Sequence, residues 1–119
     1  MKILKNSFYF VNIILIIFYL YPGSIFGCFL YGDCYIQPQL TRDFFVSSNH
    51  VYVFFIFSSL GYLSFSKKLK KIIYYLILLS IVLEILHIII PNRGFEVADL
   101  LGNLLGVILS LILFNLFIF

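Results

Sequence analysis

The sequence predicts an all-α membrane protein, a bundle of four transmembrane helices with both termini in the cytoplasm (N-in/C-in). Two observations carry that expectation. Of 119 residues, 63% are hydrophobic and only 11% are charged, with a mean hydropathy of +1.12, so no charged shell can surround a water-soluble core. The apolar residues also fall in long runs whose flanking lysines alternate in a way that fixes their direction. The length allows a single domain over residues 1–119. The net charge of +3 is no nucleic-acid footprint, because the basic residues form two short clusters beside apolar runs.

Lys2 and Lys5 precede the first apolar run, expected as a helix over about 8–26 although Pro22 and Gly23 interrupt it late. A polar, turn-rich outer loop is expected over 27–49. The second helix is expected over 50–66, a cytoplasmic loop over 67–71, the third helix over 72–90 and the fourth over 95–118. Runs of roughly 17–24 residues at ~1.5 Å per residue can cross a ~30 Å hydrocarbon core. Four crossings put Lys2, Lys5, Lys67, Lys68, Lys70 and Lys71 on one side, where short basic loops stay cytoplasmic. Arg42 and Arg93 fall on the other side with Asp33, Asp43 and Glu96. The aromatic residues, 15 Phe and nine Tyr without Trp, are read as lipid-facing or packing surface.

The segment Ile25-Phe26-Gly27-Cys28 looks like a lipoprotein processing site, but Phe26 is bulky where a small residue is usual. The first run is therefore read as a retained helix. Cys28 and Cys34 share the outer loop, in a compartment that permits a disulfide, and either a bridge or two thiols fits the sequence.

Ionisable groups inside membrane segments are costly and tend to face the bundle interior. Glu84 is the clearest, roughly 10 Å inside the end of its helix, with His87 at i+3 and Ser80 at i−4 on one face. Asp99 and Asn103 share a face of the last helix, with Glu96 nearer the rim, and His50 opens the second helix at the same depth. Arg93, in the turn between the last two helices, is expected to pair with Glu84 or Asp99. The catalytic candidates are Glu84, His87 and Asp99; the binding candidates are His50, Arg93, Glu96 and Asn103. Each can also serve only to pin helices together. His50, Glu84 and His87 have atoms suited to a metal but no diagnostic spacing, so neither metal nor cofactor is expected. Ala98, Gly102, Gly106 and Ser110 form a small-residue stripe that lets a neighbouring helix approach closely, within the monomer or in a homo-oligomer.

The stretch from Glu84 to Gly106 resembles the VanZ-like family of small bacterial membrane proteins. Glu84, Pro91, Arg93, Asp99, Asn103 and Gly106 match its pattern, and His50 looks like the histidine that opens an earlier helix there. The sequence departs from it at His87, where Gln is common, and at Val46 and Ser47, where an Asp-Lys pair often stands. The resemblance implies the bacterial inner (cytoplasmic) membrane and an envelope-related role; the family is named from a protein linked to resistance to the glycopeptide teicoplanin. It does not supply a reaction. Two functions remain in view. One is binding of a lipid head group, a lipid-linked envelope intermediate or a membrane-protein partner at an outer-leaflet polar pocket. The other is an enzyme acting on a lipid-linked envelope substrate, with Glu84 and Asp99 as acid–base groups and His87 or His50 as proton shuttle. A transporter fits less well, since Asn115 is the main polar residue deep in the inner half of the last helix.

Overall fold

The computed structural model describes residues 2–39, 41–43, 45–91 and 93–117. They form five α-helices: α1 Lys2–Leu20, α2 Ile25–Tyr31, α3 Ser48–Ser64, α4 Leu69–Leu86 and α5 Val97–Phe117. A 3-10 turn, Ser66–Lys68, joins α3 to α4, and no strand occurs among the described residues. The all-α expectation is met. Two helices, α1 and α5, are long and apolar enough to cross a membrane. The α3 helix has 17 residues, and α4 has 18 that include Lys70, Lys71 and Glu84, so length limits one and charge the other.

The first expected helix is corrected at both ends. It runs from Lys2 and stops at Leu20, two residues before Pro22, whose ring disfavours helical geometry in the residue before it. The chain then turns at Gly23, with φ of 129°, and re-enters a helix over Ile25–Tyr31 inside the stretch expected to be loop. Ser24 caps this short helix by accepting from the Gly27 N–H at 2.9 Å. Gly32, at φ of 65°, ends it in the left-handed conformation that glycine adopts without a Cβ penalty. Cys28 and Cys34 form a disulfide across this turn, and the Ser24 N–H donates to the Cys34 carbonyl at 2.6 Å. A Cβ on Gly27 would collide with the Ile36 carbonyl oxygen, so the hairpin closes only around glycine. The third expected helix ends at Leu86 rather than at 90, in a turn that leads to Pro91.

The most extensive helix interface is α3 against α5, and the small-residue stripe makes it. Cβ atoms added at Gly102 and Gly106 would lie 2.7 Å from the Ser47 carbonyl oxygen and 2.6 Å from that of Val51. At the ends of the stripe, the Ser47 N–H donates to the Ala98 carbonyl at 3.1 Å, and Ser110 Oγ lies 2.7 Å from Ser59 Oγ. The stripe thus packs within the monomer. Phe8, Leu15, Phe54, Phe57, Ile72, Leu76 and Leu83 fill the space that α1 and α4 enclose with this pair.

The lysine-bearing segments meet at one end of the bundle. Ser64 Oγ donates to the Leu4 carbonyl at 2.9 Å, and Lys5 Nζ lies 5.7 Å from the centre of the Phe65 ring. His50 of α3, Glu84 of α4 and Asp99 and Asn103 of α5 gather at the other end, beside the α2 hairpin.

Candidate functional site

The site forms because helix ends leave backbone groups unpaired and polar side chains reach them. Where α1 stops, the Tyr19 carbonyl accepts from His87 Nε2 at 2.7 Å and the Tyr21 carbonyl accepts from Arg93 Nε at 3.2 Å. Basic side chains at a helix C-terminus also meet the negative end of its dipole. Where α5 starts, the Glu96 N–H donates to Glu84 Oε1 at 3.1 Å. The entry to α3 is held by Asp43, whose Oδ1 accepts from the Ser48 N–H at 2.9 Å and from Ser48 Oγ at 3.0 Å. The Ser48 backbone donor holds the Asp43 carboxyl below the usual carboxylate range.

Tyr19 is the centre of the buried network. Its hydroxyl donates to Glu84 Oε2 and accepts from Asn103 Nδ2 at 2.7 Å. It also lies 3.2 Å from His50 Nδ1. The Tyr19 ring stacks on His87 with centroids 4.5 Å apart and meets His50 edge-on at 5.2 Å. Asn103 Nδ2 donates further to the Ser80 carbonyl at 3.2 Å, and its Oδ1 lies 2.8 Å from His50 Nδ1. One tyrosine of α1 thereby links side chains of α3, α4 and α5.

Two histidine–carboxylate pairs result, and they differ in access. His87 Nδ1 lies 3.4 Å from Glu84 Oε1, with exposures of 1% and 0%. His50 Nε2 lies 3.6 Å from Asp99 Oδ1, with exposures of 14% and 16%. The second pair is the more open to a molecule that enters from outside. Glu84 has both carboxylate oxygens engaged and acts in this geometry as the fastener between α1, α4 and the start of α5.

Two concave spaces adjoin this network. A polar cavity of about 330 Å³ is bordered by His50, Arg93, Glu96 and Asp99, with Asp43 and Gln39 from the loop. An apolar groove of about 590 Å³ runs between α1 and α3 along Val11, Leu15, Phe18, Val53 and Phe54. His50, His87 and Arg93 line both spaces, as do Ser24, Gln37 and Asn49. A polar chamber and an apolar channel therefore share one wall.

No family model, curated protein or solved structure matches this chain. The site has to be read from its own chemistry.

The candidates expected from sequence do converge here: His50, Glu84, His87, Arg93, Glu96, Asp99 and Asn103 all border the cavity or belong to the network beneath it. One pairing differs. Arg93 forms no ion pair with Glu84 or Asp99; its Nε binds the Tyr21 carbonyl, and the residue lines both spaces. The α1 end supplies an acceptor that no residue pattern singles out. Tyr19 packs as the packing-surface reading of the aromatics expects, at 7% exposure, but its hydroxyl also makes hydrogen bonds that the reading does not include. Nothing local distinguishes it from Tyr9 or Tyr21 in an aromatic-rich segment.

Proposed function

We propose that this chain is a four-span protein of the bacterial cytoplasmic membrane, VanZ-like and with both termini in the cytoplasm. Its outer-face cavity holds the polar head of a lipid or lipid-linked envelope intermediate. The shared wall of the polar cavity and the apolar groove carries this reading. An amphiphile needs a chamber for its head and a continuous apolar channel for its chain, and ligand sites commonly occupy about 300–1,000 Å³. The 330 Å³ and 590 Å³ spaces meet that need side by side.

The membrane setting has its own support. Large apolar side chains such as Phe10, Ile13, Ile56, Leu78, Ile112 and Leu116 face outward all around the bundle. A surface of that kind asks for lipid rather than water. Helices of 17–21 residues reach about 26–32 Å, so α3, the shortest of the four, crosses with help from its polar flanks. Lysines gathered at one end support a cytoplasmic position for it, and with it an outer-leaflet position for the cavity.

Within the cavity, the Arg93 guanidinium suits a phosphate, to which its planar fork presents two parallel donors. Asp43, Glu96 and Asp99 suit hydroxyl or amine groups of the same head. Comparing three probes on the purified protein tests the reading: a single-chain lipid phosphate, the same lipid without phosphate, and a chainless glycerol phosphate. Only the complete amphiphile should bind strongly, and Arg93→Gln should weaken it roughly tenfold or more, as loss of a charge-assisted pair implies. Equal binding of the phosphate-free lipid would reduce the site to a greasy groove.

A second reading, an enzyme acting on a lipid-linked envelope substrate, is favoured by the access of the His50–Asp99 pair to the cavity. Asn103, accepting from His50 Nδ1, would then orient the imidazole, with Nε2 and the Asp99 carboxylate beside it as the acid–base pair and Arg93 opposing negative charge that develops on the substrate. Mass spectrometry of envelope lipids from cells carrying wild type or Asp99→Asn, at matched protein level, distinguishes it. A lipid species altered only by wild type would favour chemistry.

A further inference from the structure

His50 on α3, Glu84 on α4 and Asp99 on α5 each offer a ligand atom, and these atoms lie within 4.8 Å of one another. Proximity of such groups is common and is not itself a site. The hydrogen bonding behind them is what points to an ion. The Ser80 carbonyl can only accept, so the Asn103 group 3.2 Å from it is the amide nitrogen, and Oδ1 must face His50. That oxygen also only accepts, so His50 Nδ1 carries a hydrogen and Nε2 is the nitrogen left to face Asp99, 3.6 Å away. On the opposite side, Glu84 is held by the Tyr19 hydroxyl and the Glu96 N–H. Metal-binding histidines characteristically donate their far N–H to an oxygen acceptor, and ligating carboxylates are steadied by outer donors. Both features are present here.

We propose that His50 Nε2, Asp99 Oδ1 and a Glu84 carboxylate oxygen bind one divalent transition ion, of which zinc is the natural fit, at the floor of the polar cavity. One imidazole and two carboxylates suit zinc, whose ligands stand roughly 3.4 Å apart in a tetrahedral site. The His50–Asp99 spacing of 3.6 Å is already close to that, and the Glu84 oxygen has only to draw inward. The charge agrees: Asp43, Glu96 and Asp99 line the cavity with Arg93 as its guanidinium, so a divalent ion offsets an acidic surplus. Three protein ligands leave a position open toward the cavity, the arrangement of a reactive or ligand-accepting zinc rather than a closed structural one. The expectation of no metal rested on a different set, His50, Glu84 and His87. The ligand atoms that converge include that of Asp99 and not those of His87, whose Nε2 is held by the Tyr19 carbonyl. Metal binding is independent of the lipid reading and is measured without lipid ligand.

The test is titration of the full-length, tag-free, chelator-stripped protein in detergent with cobalt(II), followed by its visible absorption and by displacement with zinc. One cobalt per chain should bind, with the bands of a low-symmetry site. His50→Ala and Asp99→Asn should weaken binding at least tenfold, and Asn115→Leu, at an exposed position far along α5 from the cavity, should leave it unchanged. His50→Cys should restore binding and add a thiolate-to-cobalt charge-transfer band, a gain of signal that misfolding does not produce. Absence of stoichiometric cobalt from wild type, equal binding by all variants, or a His50→Cys protein without the new band would overturn the proposal.

Discussion

Asn103 shows how much can hang on one amide. It donates to Tyr19 and to the Ser80 carbonyl and faces His50 with its oxygen, so a hydrocarbon side chain there strands buried polar groups on three helices. Asn103→Leu should lower stability by about 1–3 kcal/mol, read as a lower unfolding temperature in detergent. Asn115→Leu, at an exposed position of the same helix, should be neutral. Asp43 acts differently, at the surface. Its folded-state pKa is depressed by the Ser48 N–H, so its contribution is complete above the unfolded value and is lost as pH falls through the folded one. The stability gap between wild type and Asp43→Asn, followed by acid titration, should hold from neutral pH down to about pH 4 and close below it. The polar residues of α3, α4 and α5 were legible because each stood out against apolar sequence. Tyr19 was not, since a tyrosine among aromatics carries no mark of where its hydroxyl goes.

At the scale of elements, the α3–α5 contact depends on missing side chains. A methyl group at Gly106 would press on the Val51 carbonyl and lie 2.9 Å from the Phe55 nitrogen, both backbone atoms that cannot turn aside. Gly106→Ala should therefore cost about 1–3 kcal/mol in thermal unfolding, whereas Gly94→Ala, with no atom near its added Cβ, should cost little. Spacing announced a close helix contact, yet only the tertiary arrangement selected α3 as the partner. Helix ends were readable to the extent that proline and charge mark them. Pro22 ended α1 earlier than its apolar run did, because hydropathy continues where backbone geometry does not. The short α2 escaped notice because glycines and cysteines flank and interrupt it, and its ends are set by Ser24 and Gly32 rather than by a hydrophobic period.

For the molecule as a whole, the two ends of the bundle differ in chemistry, lysines at one and a carboxylate–histidine–arginine cavity at the other. If they lie on opposite faces of a membrane, a membrane-impermeant thiol reagent should label Gln39→Cys in intact cells and reach Lys67→Cys only after permeabilisation. Uneven lysine placement made this polarity legible in the sequence. The adjoining cavity and groove were not legible, because they arise from the gap between α1 and α3 and from a folded-over loop. The most direct test of the central claim is native mass spectrometry of the protein released from membranes under mild conditions. A retained phosphate-bearing lipid is expected on wild type, reduced by Arg93→Gln, which alters the head chamber, and by Val53→Trp, which fills the groove. A wild-type protein that emerges without lipid, or variants that retain it equally, would contradict the account.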